Sequence, residues 1–136
     1  MNRLTALNVF LYRRTGGRIG GAIGTIRPIA LVDHVGAKSG ALRTTPLVYT
    51  RDGDDVIIVG SLGGSPKTPS WVFNLRANPR TTIQVGSNKW AVIAREATDE
   101  ERKRLWPMVV DTYADYAVYQ ARTKRTIPVI VLTPAG

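Results

Sequence analysis

Three glycine turns set what this chain can fold into. Gly36-Ala37-Lys38-Ser39-Gly40, Arg51-Asp52-Gly53-Asp54 and Gly86-Ser87-Asn88 each lie between two short runs rich in Val, Ile and Thr. Strands joined by so short a loop run antiparallel, because a parallel return needs a crossover of about a dozen residues. Residues 29–35 (IALVDHV), 42–50 (LRTTPLVYT), 56–61 (VIIVGS), 81–85, 89–95 and 127–132 (IPVIVL) therefore read as six strands. Pro46 has no amide proton to give a ladder, so its strand belongs at an edge or a bulge. The continuously apolar start of 56–61 predicts a buried strand.

Helices fill the spaces between. Thr68-Pro69 reads as an N-cap followed by Pro in the first helical position, with the helix running through Trp71, Leu75 and Arg76 to Asn78-Pro79. Thr98 with Glu101 three residues later is a capping box, and Leu105, Trp106, Val109 and Val110 supply the apolar face behind it. Pro107 is expected to kink or split that helix, which resumes over 115–122. Near the start, Leu4, Leu7 and Leu11 recur at helical spacing over residues 3–14, and Gly16-Gly17 end the run. That amphipathic helix either packs on its own domain or lies on an anionic membrane surface. The glycines of 16–24 do not match the dinucleotide fingerprint, since no strand precedes them. The chain divides into an N-terminal helix with a Gly-rich connection (1–27) and a small α+β domain built on an antiparallel barrel or sheet (28–136).

The chemistry is bounded by what is missing. There is no cysteine, so thiolate nucleophiles, disulfides and iron–sulfur clusters are excluded, and a single histidine, His34, makes a polyhistidine metal site implausible. Redox chemistry would need an organic cofactor. The formal charge is +9, and it is uneven: up to Arg51 there are eight basic residues against one acid, Asp33. Such a field favours a phosphorylated cofactor, nucleic acid or an acidic membrane surface. No apolar run approaches the roughly 20 residues of a bilayer span, and no secretory signal is evident. A cytoplasmic location is expected, with the inner membrane face as its variant.

Two clusters stand out. Around the first turn, Lys38, Ser39, Arg43, Thr44 and Thr45 offer an ammonium, a guanidinium and three hydroxyls within eight residues, flanked by glycines that let backbone amides approach an anion. This is not a Walker loop, because Ala37 precedes the Lys and a strand follows it. The stretch is either a phosphate or carboxylate site or a solvated hairpin tip. The second cluster is Tyr113, Tyr116 and Tyr119, whose spacing of three places them on one broad helix face. They read as core, or as the wall of a pocket for a flat ligand. Trp71 reads as core, Asn74 would be unusual if buried, Lys67 extends the basic patch, and His34 reads as structural, with Asp33 beside it available to a local Arg. Nucleic acid is the rival partner for so basic a chain, but the cations near Lys38 are spaced like a ligand loop and no helix-turn-helix or RNA-binding signature is present, so no nucleic-acid partner is expected.

Further pieces recur in order: Arg43-Thr44-Thr45-Pro46-Leu47, Arg51-Asp52-Gly53, Gly63-Gly64, Pro69-Ser70-Trp71, Asn74-Leu75-Arg76-Ala77-Asn78-Pro79, Asp99-Glu100-Glu101-Arg102, Asp115-Tyr116, Tyr119-Gln120, Arg122-Thr123 and Arg125-Thr126-Ile127-Pro128. With Gly36-Ala37-Lys38-Ser39-Gly40, this ordered set resembles the deazaflavin-dependent nitroreductase family of actinobacteria, over about residues 28–134. The resemblance implies an FMN-binding split-barrel-like fold and reduced coenzyme F420 as hydride donor, to an activated C=C, quinone or nitro-aromatic acceptor. By position it implies that Lys38, Ser39 and Arg43 hold the phosphate and acidic tail, with Ala37 also at the cofactor. It implies that Thr44, Thr45, Pro46, Leu47, Val48, Val59, Gly60, Ser61, Leu62, Ser70, Trp71 and Asn74 line the cofactor. Tyr113, Tyr116 and Tyr119 would face ring and substrate, with Ser61 a nearby donor and Tyr116 or solvent supplying a proton. Leu62 stands where related nitroreductases can carry Lys, and Val48 where an aromatic can line the substrate pocket. The resemblance assigns His34 no role and implies no metal. The alternatives are an FMN-binding split-barrel protein and a non-enzymatic basic module for nucleic acid or membrane.

Overall fold

The structure, a computed structural model, describes residues 28–135. The expected helix of residues 3–14, the Gly-rich connection and the boundary at residue 27 lie outside the described residues. The described residues form seven strands: β1 (Ile29–Val35), β2 (Leu42–Val48), β3 (Thr50–Asp52), β4 (Asp55–Val59), β5 (Arg80–Val85), β6 (Asn88–Glu96) and β7 (Val129–Pro134). Three α-helices accompany them: α1 (Ser70–Ala77), α2 (Asp99–Thr112) and α3 (Asp115–Arg122), with a short 3-10 turn at Leu62–Gly64.

The strands form one antiparallel sheet in the order β2-β1-β5-β6-β7-β4-β3. The two edge strands, β2 and β3, are consecutive in the chain with only Tyr49 between them. Opposite edges of a seven-stranded sheet can be one residue apart only if the sheet curls back on itself, so the covalent chain imposes the open-barrel shape. Pro46 sits in the edge strand β2, opposite Leu31, where its missing amide proton faces no second neighbour.

Curling gives the sheet an inside and an outside, and period-two alternation fills both. From β4, Val56 and Ile58 enter the inner core with Trp71, Val72 and Leu75 of α1 and with Ile130 and Leu132 of β7. The alternate residues Ile57 and Val59, with Val129 and Val131, meet Leu105, Val109 and Tyr116 outside. A strand buried on both faces has no polar side, which is why this stretch of sequence shows no alternation.

Several boundaries differ from the sequence reading, each for a local reason. The second expected strand breaks at Tyr49, whose amide donates to Pro28 O (3.2 Å), and Thr50 restarts as β3. The turn that follows shrinks to Gly53 and Asp54, with Gly53 at φ +61°. Thr68 does not cap α1. Pro69 itself occupies the cap in an extended conformation (φ −60°, ψ 146°), and its carbonyl accepts from Val72 N–H (3.1 Å). Pro107 does not split α2. Pro107 and Lys103, one turn earlier, are both exposed, so water can serve the carbonyl that proline leaves unbonded. The break comes at Tyr113 (φ −145°, ψ 98°). The last strand starts at Val129 because the Ile127 amide donates instead to Gln120 Oε1 (2.9 Å). The Thr98–Glu101 capping box is present in both directions. The β5–β6 hairpin turns on Gly86 and Ser87, with Gly86 at φ +61° as a two-residue turn with glycine first requires. Among the described residues no helix is long and apolar enough to cross a membrane.

Candidate active site

The β1–β2 hairpin presents the first cluster. Gly36 N–H donates to Ala41 O (2.9 Å) and Gly40 N–H to Gly36 O (2.9 Å), while Ser39 Oγ accepts from Ala41 N–H (3.2 Å). A side chain at Gly36 would put its Cβ 2.4 Å from Ser39 Oγ, and Gly40 sits at φ +71°. Glycine is thus required at position 40 by the turn that exposes Lys38, and a side chain at position 36 would displace the Ser39 hydroxyl. Lys38, Ser39 and Arg43 open onto a cleft of about 1030 Å³ whose opposite wall is α1, through Ser70, Phe73, Asn74 and Arg76.

The cations in this cleft differ in their freedom. Arg76 is committed to Glu96 and stacks on Phe73 with its guanidinium 5.2 Å from the ring centroid. Lys38 and Arg43 have no carboxylate partner among the described residues. Two like charges kept beside each other without a counter-charge are what an anion-binding groove needs.

On the other side of Ser70 lies a second cleft of about 630 Å³. Thr45, Pro46, Leu47 and Val48 of β2 form one wall, Val59, Ser61 and Leu62 a second, and Ser70 and Trp71 the near end. The tyrosines close it, but not from a single helix. Tyr113 caps the end of α2, and only Tyr116 and Tyr119 belong to α3. The extended backbone at Tyr113 swings its ring onto the other two, with centroids 4.9 Å from Tyr116 and 6.0 Å from Tyr119. The Tyr113 and Tyr119 hydroxyls hydrogen-bond at 3.0 Å. Tyr116 is buried in the outer core as well as lining the cleft, so the core and pocket readings of the cluster both apply.

The strip from Gly60 to Ser65 is held by two arginines, one from the last turn of α3 and one from beyond it. Arg125 Nε donates to Ser65 O (2.9 Å) and its Nη2 to Gly60 O (3.1 Å) and Ser61 O (2.8 Å), while Arg122 Nη1 donates to Gly63 O (3.1 Å). This pinning accompanies a Leu62 backbone in the left-handed region (φ +45°), which costs a non-glycine residue about 1–2 kcal/mol. The Leu62 side chain is left 53% exposed at the cleft. Lys67, expected to extend the basic patch, lines this second cleft.

Two residues expected to line the cofactor line neither cleft. The Thr44 hydroxyl points to the other side of β2 and donates to Asp33 Oδ1 (2.6 Å), which also gives Asp33 a hydroxyl partner. Gly60 lines neither cleft; a Cβ there would stand 2.8 Å from Val72 Cγ2, so it serves the contact between β4 and α1.

Beneath the junction of the clefts is His34, 3% exposed, and Asn74, 7% exposed. Asn74 Oδ1 accepts from Ala37 N–H (2.9 Å), its Nδ2 reaches His34 Nδ1 (2.9 Å), and His34 Nε2 reaches Thr45 Oγ1 (2.8 Å). Burial, reinforced by the Arg43 charge and opposed by Asp33, holds the imidazole below its ordinary value. Among the residues that the sequence left without a site role, Phe73 and Arg76 wall the first cleft, Arg125 holds the Gly60–Ser65 strip of the second, and His34 joins Asn74 to Thr45 between them. Helical spacing of Phe73 and Arg76 from Ser70 was the one available signal for the first two. For His34 there was none, since its partners are 11 and 40 positions away.

The model of F420H(2)-dependent quinone reductases matches residues 4–134. This chain belongs to that family. It is an oxidoreductase that takes hydride from reduced coenzyme F420. An F420H(2)-dependent quinone reductase of Mycobacterium tuberculosis is 45% identical over 134 residues, covering 96% of this chain and 90% of the relative. A solved F420-H2 dependent reductase superposes with a TM-score of 0.72 at 43% identity, covering 78% of this chain and 94% of that one. A second solved structure, described as a domain-swapped dimer, gives a TM-score of 0.74 at 37% identity over 95% of this chain and 96% of its own.

Proposed function

We propose that the family's cofactor lies across Ser70 in this chain, its phosphate and acidic tail in the basic cleft and its flat ring in the tyrosine cleft. The observation that carries this reading is the meeting of two unlike clefts at one residue, one with Lys38 and Arg43, which have no carboxylate partner among the described residues, the other with three phenols and an apolar strip. The residues fit a long anion with a planar head. Arg43 can grip a phosphate with two parallel bonds and Lys38 adds a point charge. Ser39 and the turn amides supply neutral donors. Pro46, Leu47, Val48 and Trp71 give the ring apolar walls that exclude water. When bound, the reduced deazaflavin supplies hydride from its C5 to the acceptor.

The chain's part is then to orient and to stabilise charge. A quinone acceptor gains negative charge on oxygen as it is reduced, and hydroxyl donors at that position lower the barrier. Tyr113 and Tyr119, already sharing a hydrogen bond, and Ser61 face the same space, and Tyr116 or solvent delivers the proton. Leu62, in place of a cation, leaves Lys67 as the ammonium on the ring side.

The test titrates the full chain with reduced F420, FMN and a random DNA duplex, following cofactor fluorescence, and then measures quinone reduction. F420 binding and quinone turnover are expected. Binding of FMN with none of F420, or salt-sensitive duplex binding alone, would refute the reading. Tyr116→Phe should lower turnover more than cofactor affinity; unchanged turnover removes its proton.

A further inference from the structure

The four residues joined beneath the clefts fix a direction. A backbone amide only donates, so the carbonyl end of Asn74 must face Ala37 N–H. Its amino end therefore faces His34 Nδ1, and an amino group only donates. Nδ1 must then be the bare, accepting nitrogen. A neutral imidazole has one proton, and it stands on Nε2, where it donates to Thr45 Oγ1. Thr45 lines the tyrosine cleft, and its hydroxyl, already accepting, keeps its own proton to give.

The chain of bonds thus runs from the anion hairpin through α1 and β1 to β2. One end orders the loop that carries Lys38. The other end orients a hydroxyl in the ring half. Each link leaves no choice in the next, and successive bonds polarise one another.

We propose that His34 is a positioning residue that keeps the two halves of the cleft in register, fixing Asn74 and the anion hairpin through Nδ1 and turning the Thr45 hydroxyl into a donor toward bound cofactor through Nε2. It touches neither reacting atom. The proposal rests on the reading that one cofactor spans both clefts.

Protonation undoes the device. An imidazolium donates from both nitrogens, so Nδ1–H would meet the amino group of Asn74. The charges acting on the ring are Asp33 on its own strand and Arg43 across the ladder on β2; Lys38 lies in the turn above, and Arg76 on α1 is offset by Glu96 of β6. On β5 the Thr81 hydroxyl is spent on Asp33 O. Burial together with Arg43 outweighs Asp33, which favours the neutral ring. A bound anion by itself would act the other way, favouring an imidazolium and tighter binding in acid. The sign of the pH effect therefore separates the relay from plain electrostatics.

The chain has one histidine, so its imidazole can be read directly. With ¹⁵N-histidine label, long-range ¹H–¹⁵N correlation across pH 5–8 should show protonated Nε2 and bare Nδ1 at neutral pH. Adding reduced F420 should shift the Nε2 signal. Cofactor affinity of the full chain should fall as the ring protonates, and His34→Gln should bind about tenfold more weakly at pH 7.5 and lose that pH step. Thr45→Val should retain the tautomer yet lose the Nε2 response. A proton on Nδ1, affinity that rises in acid with the titration of His34, or a His34→Gln variant with wild-type affinity and pH profile would overturn the proposal. A wild-type chain that binds no F420 refutes the cofactor reading instead, and the tautomer then decides the relay by itself.

Discussion

Replacing Asn74 by Asp changes one donor into an acceptor and almost no volume. The oxygen that accepts from Ala37 N–H is retained. The second atom, 2.9 Å from His34 Nδ1, becomes an oxygen facing a nitrogen lone pair. Above the titration of His34 this leaves two acceptors face to face, with loss of one buried bond and desolvation of both atoms, about 1–3 kcal/mol. Below it, the added proton on Nδ1 donates to the new carboxylate, and opposite charges about 4 Å apart attract by at most about 4 kcal/mol at an effective dielectric near 20. The variant should therefore raise the His34 pKa above its ordinary value, whereas in the parent burial and Arg43 hold it below. The stability profiles invert as a result. In the parent, the His34 contribution is full above the unfolded value of about 6.5 and declines as pH falls through the lower folded value. In Asn74→Asp it is full below about 6.5 and is lost as pH rises through the higher folded value. Urea unfolding of both proteins from pH 5 to pH 8, with the single imidazole followed by NMR, measures both quantities. A variant equally destabilised at both ends of the range, with the His34 titration still lowered, would refute the bond directions assigned here.

Lys38→Ala and Arg43→Ala should each weaken F420 binding by about 1–3 kcal/mol, the range for losing a charged hydrogen bond; titration at low salt reads it. Arg76→Ala should cost less because Glu96 already occupies its guanidinium, and an equal loss in all three would argue against the distinction between free and paired cations. Gly60→Ala drives a Cβ to 2.8 Å from Val72 Cγ2 and 3.0 Å from Pro128 Cγ, and thermal unfolding should show the roughly 1–3 kcal/mol of an overpacked core. Thr98→Ala removes the acceptor for Glu101 N–H and should cost about 1 kcal/mol, seen as a lower unfolding midpoint with unchanged cofactor affinity. Hydrogen bonds from Arg95 and then from the Thr98 amide hold the Glu101 carboxyl down to about 2, so its contribution is present above about 4.5 and disappears on acidification toward pH 2; because this ion pair lies at the surface with Glu101 only half-buried, solvent screens it and Glu101→Gln should flatten the acid limb only slightly.

Much of this molecule was written in short-range pattern. Glycine turns a few residues long dictated antiparallel pairing, because no other geometry closes so short a loop, and the Thr98 box fixed the start of α2 through bonds three residues apart. The grouping of Lys38, Ser39 and Arg43 was legible for the same reason, since one hairpin carries all three. Boundaries were less so: the strand expected over 127–132 moved because Gln120, seven positions back, takes the Ile127 amide, and the tyrosines converged through the extended link at Tyr113 instead of a continuous helix. Tertiary structure alone decided which partners meet across long separations. It curled the sheet until β2 and β3 became opposite edges joined by Tyr49, laid α1 between two clefts, and brought Asn74 to a histidine 40 positions away. Local sequence records what neighbours along the chain can bond; burial of both sheet faces sets which distant side chains must find each other, because a polar atom enclosed there has no water to fall back on.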